Sequence, residues 1–451
     1  MTSNNKNKNN HSKNNIPAHS VDTRELALEM LIEINERGEF SHIVLRSVLD
    51  KYQYLPKQDR AFMTRLVDGT IEYMLQLDYI IDSFSKTKVK KMKPFIRNLL
   101  RMSVYQIKYM DAVPDSAVCN EAVKLAKRHK FAQLSGFVNG VLRNIARNID
   151  SVQLDTLSIR YSMPQWIVDR FVAAYGEKKA EEIFKAFHSK STISIRTNLT
   201  RCTSDELRAM LEAEGVTVTA VDELNYAFVI SGFDYLNGLQ SFRDGLFYVQ
   251  DISSMLVAQT AAPKKGDYVI DVCAAPGGKS THIAELMQGS GHVLARDLTD
   301  TKVGMLEENI ERHGLNNMSA EVWDATVPDT DSVGKADILI CDLPCSGLGV
   351  LGRKKDIRYK MTPESVDELV ALQRQILDTV YTYVKPNGVL VYSTCTIDEA
   401  ENEDNVRWFV EKHPEFELDK SFADGAGMKQ ILPGEHGSDG FFIARFIKGK
   451  S

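Results

Sequence analysis

From Gly266 onward, apolar runs of strand length alternate with helix-length segments across short connections. DYVIDVC at 267–273, HVLARD at 292–297, ADILICD at 336–342 and GVLVYST at 388–394 read as strands buried on both faces, because their Val, Ile and Leu residues are nearly continuous. Helices are expected near 279–288, 300–313 and 364–384. Strands joined through helices run parallel, since a parallel return needs a crossover. The expected fold class is therefore α/β with a doubly wound parallel sheet, whose ligands bind beyond the carboxyl ends of the strands.

Those ends carry the notable residues. Asp271, Asp297, Asp324 and Asp342 each end or closely follow a strand. A single strand-end Asp is often only a helix cap, but four in one sheet argue for a site. Asp297 follows the first strand by the spacing at which a carboxylate takes the ribose hydroxyls of a nucleoside. The turn Asp271-Val272-Cys273-Ala274-Ala275-Pro276-Gly277-Gly278-Lys279 brings small residues to a helix N-terminus, where free N–H groups meet a ligand. It is neither GxGxxG nor GxxxxGK[ST], which disfavours a dinucleotide or a cradled triphosphate.

CDLPCSGLG at 341–349 places Cys345 just past a strand, three residues after Asp342. Its thiol could pack, bind metal, form half of a disulfide or act as a nucleophile. The six cysteines include no CxxC pair, and the ten histidines show no HxH or HExxH spacing, so neither metal nor structural disulfide is expected. YSTCTI at 392–397 supplies a second strand-end thiol, Cys395. A lone free cysteine is most often a small buried hydrophobe. Two at neighbouring strand ends favour chemistry.

The first half of the chain reads differently. Residues 1–20 are rich in Asn and Lys and expected to be disordered. From 21 to 150 helical spacing dominates, as in Leu26, Met30, Leu31 and Ile34, and no strand pattern interrupts it. Gly136 and Gly140 look turn-like around SGFVNGVLRNI, in which Asn139 and Arg143 stand one helical turn apart. Residues 151–240 give two helical stretches and then a βαββ order, a small α/β connector; 241–451 hold the sheet. Although the net charge is −6, Ser83 to Ile149 carry fourteen Lys and Arg against three acids. A run so one-sided in an acidic chain suits a polyanion better than a merely solvated helical face. No apolar run of about 18 residues and no apolar N-terminal core is present, so a cytoplasmic protein with no membrane partner is expected.

The DVCAAPGGKS turn, the acid ending the second strand, DLPCSGLG and YSTCTI together resemble the NOL1/NOP2/Sun group of S-adenosylmethionine-dependent RNA (cytosine-5) methyltransferases. The helical half with FVNGVLRN resembles the NusB-like RNA-binding domain of that group's bacterial RsmB/Sun branch. The resemblance spans nearly everything outside the Asn-rich tail. It implies a NusB-like domain, a connector and a Rossmann-like methyltransferase domain. It also implies that Cys273, Ala274, Ala275, Pro276, Gly277, Gly278 and Lys279 wrap S-adenosylmethionine, with Asp297 on the ribose, Asp324 by the adenine and Asp342 facing base and cofactor. Cys395 would be the nucleophile, and Cys345 would assist product release. Arg296 departs from the pattern, which has a small or apolar residue before the ribose acid. The branch implies 16S ribosomal RNA as partner, before the subunit is fully assembled, and a monomeric enzyme.

The chemistry makes two thiols useful. Carbon 5 of cytosine is a poor nucleophile until a thiolate adds to carbon 6. A carboxyl group at N3, suiting Asp342, would stabilise the adduct, and a second thiol or a water it orders would help elimination after methyl transfer. Enzymes acting on exocyclic amines carry D/N-P-P-Y/F where this chain has Pro344-Cys345. A tRNA or large-subunit substrate, or a non-catalytic RNA-binding assembly factor, are the alternatives. Two further features have double readings. Arg353, Lys354, Lys355 and Arg358 would hold RNA phosphates or form an exposed charged loop, and Phe247-Tyr248 before Gln250-Asp251 would flank the cofactor or fill the core.

Overall fold

The computed structural model of the protein describes residues 21–189 and 192–450, and the Asn-rich segment expected to be disordered lies outside them. Among the described residues, seven α-helices build the N-terminal part: Thr23–Arg37, Ser41–Lys51, Lys57–Glu72, Met74–Phe84, Pro94–Tyr109, Asp115–Arg128 and Ser135–Asn148. Their ends follow local chemistry. The Asp22 carboxylate accepts from the N–H groups of Arg24 and Glu25 at the start of the first, and Gly38, at φ +83°, closes it. Pro94 opens the fifth, where its missing N–H costs nothing. Apolar faces of these helices meet in one core, with Leu31, Leu66, Leu99 and Leu142 fully buried.

The basic run is less open than its composition suggests. Arg97 pairs with Glu36, and Arg101 pairs with Asp78 at 2.6 Å, both acids coming from other helices. Lys86, Lys90, Lys91 and Lys93 stay exposed. Gly136 and Gly140 are not turn residues but lie inside the seventh helix. Asn139 and Arg143 do share a face, the Arg143 Nε donating to Asn139 Oδ1 at 3.0 Å.

Two further helices, Gln165–Tyr175 and Glu177–Phe187, press Phe171, Phe184 and Phe187 against Leu348, Leu351 and Ile397. Those three residues sit in the loops that follow Cys345 and Cys395, so the connector braces them from outside. Next comes a four-stranded antiparallel sheet of β1 (Ile193–Thr197), β2 (Thr217–Val221), β3 (Leu224–Ser231) and β4 (Phe247–Val249) in the order β2-β3-β1-β4. Helix Ser204–Ala213 covers it through Leu207 and Leu211. A boundary at 240 would give β4 to the C-terminal domain, yet its hydrogen bonds go to β1.

The large sheet contains β5 (Tyr268–Asp271), β6 (His292–Asp297), β7 (Met318–Val322), β8 (Ala336–Asp342), β9 (Val384–Thr394), β10 (Phe416–Leu418), β11 (Met428–Ile431) and β12 (Phe441–Lys448). Its order is β10-β12-β9-β8-β5-β6-β7, with β11 on β12. β5 to β9 run parallel, as the strand–helix alternation requires. β12 returns antiparallel between β9 and β10, an addition the apolar alternation of the earlier segment does not reveal. Strand order reverses where β5 lies between β6 and β8, and a crevice opens beyond their carboxyl ends.

Candidate functional site

A cavity of about 290 Å³ occupies that crevice. Its floor is the turn after β5. Gly277 has φ +107°, open to glycine alone, and a Cβ there would stand 3.0 Å from Leu306 Cδ2. The helix that follows, Gly278–Leu286, begins with no side-chain cap, so its first N–H groups remain available. Asp271 is buried under this turn, where it accepts from the Ser280 hydroxyl. Burial pushes its carboxyl up to about 7. Burial likewise raises the Cys273 thiol.

Asp297 is buried and ties the same turn to the second strand: its Oδ2 accepts from the Ala275 N–H at 2.9 Å, and its Oδ1 accepts from Leu298 N–H and Lys302 Nζ, each at 2.8 Å. Asp324 is exposed and accepts from the Thr326 N–H and hydroxyl in its own turn, contacts that hold its carboxyl below the usual range. The cavity lining includes Asp271, Cys273 to Pro276, Gly278, Lys279, Asp342 and Cys395, but not Gly277, Asp297, Asp324 or Cys345. The unexpected Arg296 is structural. It points to the sheet edge, bonding Glu321 at 2.5 Å and Asp329 at 2.6 Å beneath the Trp323 ring.

At the ends of β8 and β9 the reactive groups converge. Lys279 Nζ donates to Asp342 Oδ2 at 2.6 Å, and the Ser393 hydroxyl donates to Asp342 Oδ1 at 2.7 Å. Burial works against the Lys279 ammonium, but the Asp342 carboxylate holds it above its ordinary range. Cys345 Sγ and Cys395 Sγ are 3.1 Å apart, and both thiols are free. Hydrogen bonding from Cys345 lowers the Cys395 thiol against the cost of burial, helped by the charges of Lys354 and Lys279. The same contact, with burial, drives the Cys345 thiol well up. Cys395 is the one of the pair that faces the cavity.

Sequence reasoning missed what holds the Cys345 loop. Glu401 accepts from the Ser346 N–H at 2.9 Å and from the Ser346 hydroxyl, while Gln373 Nε2 donates to Pro344 O at 2.9 Å and to Glu401 Oε1 at 3.0 Å. Nothing in the acid-rich IDEAENED segment sets Glu401 apart from its neighbours. Asp439, just before β12, was also not singled out. It pairs with Arg353 at 2.6 Å beside Asp251, and burial with the nearby Asp251 charge pushes its carboxyl up to about 7.

The double readings resolve residue by residue. Phe247 is core, whereas Tyr248, Gln250 and Asp251 line the cavity. Of the four basic residues after the cysteine loop, three are taken by the protein itself. Arg353 bridges Asp251 and Asp439; Lys355 pairs with Glu72 at 3.1 Å; Arg358 is fully buried and donates to Leu351 O at 2.9 Å. Lys354 lines the cavity and has no ion pair among the described residues. No cluster of His, Cys, Asp and Glu among the described residues could hold a metal, and no described helix is long and apolar enough to cross a membrane.

Comparison with known proteins places this geometry. Residues 258–447 match the family "16S rRNA methyltransferase RsmB/F", 21–147 match the NusB family, and 163–233 match the ferredoxin-like domain of RsmF/B-like methyltransferases. The chain is 38% identical to the probable ribosomal RNA small subunit methyltransferase B of Bacillus subtilis, covering 94% of this chain and 98% of that one. It is 34% identical to the probable Synechocystis protein of the same name, over 95% and 100%. The crystal structure of PH0851 superposes with a TM-score of 0.82 at 26% identity, covering 95% of this chain and 99% of that chain. A methyltransferase homologue from Pyrococcus horikoshii gives 0.56 at 26% identity, over 64% and 97%. Its full-length match to curated relatives and its three successive domain matches show that the chain belongs to the RsmB/F family of 16S rRNA methyltransferases.

Proposed function

We propose that the protein transfers a methyl group from S-adenosylmethionine to carbon 5 of a cytosine in 16S ribosomal RNA, through a covalent adduct between Cys395 and carbon 6. The observation that carries this reading is the pair of thiols 3.1 Å apart past the ends of adjacent parallel strands, of which Cys395 faces the cavity.

The donor set fits S-adenosylmethionine. The uncapped helix N-terminus supplies N–H groups, and at Gly278 a Cβ would come within 3.3 Å of the Tyr248 ring, so the space must stay clear of side chain. Residues 273–279 would wrap the cofactor, Asp297 would take its ribose, and Asp324 would reach its adenine from outside the cavity. Bound there, the cofactor supplies an electrophilic sulfonium methyl.

Cys395 as thiolate forms the bond to carbon 6, and the electron pair of the 5,6 double bond shifts to make carbon 5 nucleophilic. Asp342, held by Lys279 and Ser393, would meet the N3 edge of the ring as negative charge builds there. After carbon 5 takes the methyl from the sulfonium, a water held by Cys345 accepts the carbon 5 proton, the electrons of that C–H bond re-form the 5,6 double bond, and Cys395 leaves as thiolate. The helical domain at 21–150 and the connector at 151–240 present the RNA, and the base is splayed from its stack to enter. A cytoplasmic monomer acting before full subunit assembly is part of the proposal.

Trapping on RNA that carries 5-fluorocytosine tests the mechanism: Cys395→Ala forms no adduct, and Cys345→Ala retains RNA covalently even without fluorine. Exchanged outcomes would reverse the roles. Bisulfite mapping of each RNA class from a deletion strain tests the substrate, and unchanged 16S RNA would sink that assignment.

A further inference from the structure

A second cavity adjoins the catalytic one. It is a groove of about 660 Å³ whose walls come from three parts of the chain: Arg46 and Arg60 in the helical domain, Tyr235 and Phe242 beside the small sheet, and Arg312 next to the methyltransferase turn. Tyr248, Val249 and Pro276 line both spaces, so the groove borders the cavity that holds Cys395, with the Tyr248 hydroxyl donating to Pro276 O at 3.1 Å in the wall they share. None of the motifs that carry the methyltransferase resemblance contributes Arg46, Tyr235 or Arg312.

The groove's chemistry is unusual for a surface this close to four cavity carboxylates, Asp251, Asp271, Asp342 and Asp439. Arg60 is neutralised by Asp234 at 2.8 Å and serves as a strut between domains. Arg46 is different: its side chain is 82% exposed, and its nearest acid, Asp50, stands 3.9 Å away. Arg312 lies 4.4 Å over the Phe242 ring and donates to carbonyl oxygens and to Asn309 Oδ1, with no carboxylate partner among the described residues. Tyr235 leaves 41% of its surface in water. A partly exposed aromatic ring and two cations that lack a firm carboxylate partner, lining one groove, match a strand that offers bases to stack and phosphates to neutralise.

We propose that this groove binds single-stranded RNA, holding the nucleotides next to the target base while that base enters the catalytic cavity. The proposal rests on the reading of the protein as an RNA methyltransferase and specifies the path its substrate takes. Tyr235 stacks on a base; Arg46 and Arg312 meet phosphates.

The full-length protein is tested with a fluorescent oligouridylate, which contains no cytosine and cannot be methylated. Tyr235→Ala and Arg46→Gln each weaken its binding about tenfold, the range for losing one stacked base or one phosphate contact. Arg46→Gln also lowers the salt dependence of binding by about 0.7 in log K against log salt, as expected for one phosphate on a single strand. Affinity for S-adenosylmethionine and the unfolding midpoint stay at wild-type values, and an oligonucleotide carrying 5-iodouridine crosslinks to Tyr235 under light. Wild-type oligonucleotide affinity in both variants, or a crosslink confined to other residues, overturns the proposal. A loss of cofactor affinity in either variant would assign the groove to the cofactor and overturn it as well. If methylation mapping fails while the crosslink at Tyr235 persists, the groove stands and the assignment of reaction falls.

Discussion

The Cys345 and Cys395 sulfur atoms are 3.1 Å apart, yet only Cys395 opens to the cavity that Lys279 and Asp342 share. A donor at that distance stabilises a thiolate as a hydrogen bond to any anion does. At neutral pH iodoacetamide should therefore label Cys395 before Cys345, as read by peptide mass spectrometry. In Cys345→Ala the donor is gone, so labelling of Cys395 should slow and its pH midpoint move up. Preferential labelling of Cys345 would contradict the assignment.

Lys354 makes a separate prediction. It is the one residue of the basic run after the cysteine loop that lines the cavity without an ion pair among the described residues, and its charge favours the Cys395 thiolate. Lys354→Met should slow Cys395 alkylation roughly two- to fivefold, the effect of one partly screened charge. Lys354→Arg should restore it. Equal rates in all three proteins would remove Lys354 from the account of the thiol.

Asp271 predicts how stability varies with pH. Its carboxyl rises from an ordinary 3.8 to about 7 because it is buried. A raised carboxyl binds its proton more tightly in the folded than in the unfolded protein, so its contribution is complete below about pH 4 and is lost as pH climbs through about 7. The difference corresponds to roughly 4 kcal/mol. Asp271→Asn keeps an acceptor for the Ser280 hydroxyl and cannot ionise. Urea midpoints measured from pH 5 to 8 should fall less steeply in the variant; parallel curves would show that Asp271 titrates normally.

A fourth expectation concerns the seam between domains. Asp356 is buried and accepts from the Ser41 N–H at 3.1 Å, from the Ser41 hydroxyl at 2.6 Å, and pairs with Lys360 at 3.0 Å. Asp356→Ala leaves those donors unmatched and should cost about 2–4 kcal/mol in denaturant unfolding. Lys90→Ala, on the exposed basic loop, should change stability by less than about 0.5 kcal/mol.

What could be read from the sequence depended on distance along the chain. β5, β6, β8 and β9 were legible because each is an apolar run with its own acid or thiol at the end, and the Cys395 partner of Cys345 was legible because both sit at such ends. Glu401 and Asp439 were not, since each acts on a loop far away in sequence and has no local pattern. Charge was misread for the same reason. Arg97 and Arg101 look unopposed within their own segment, but Glu36 and Asp78 reach them from other helices. Arg358 looks like a loop cation and is fully buried. β12 was missed because an antiparallel strand added after the last crossover obeys no alternation with helices.

The seam also bears on descent. Residues 348–361 are written against both preceding parts of the chain: Leu348 and Leu351 meet Phe184 and Phe187 of the connector, while Asp356 meets Ser41 and Lys355 meets Glu72 of the helical domain. A lineage that shed the helical domain would leave Asp356 without Ser41 and Lys355 without Glu72 in the loop that follows Cys345. Gain or loss of this domain therefore cannot be a clean cut at a linker. It requires that a stretch some way into the methyltransferase sheet be rewritten together with the terminus, and relatives that lack the helices should differ there first.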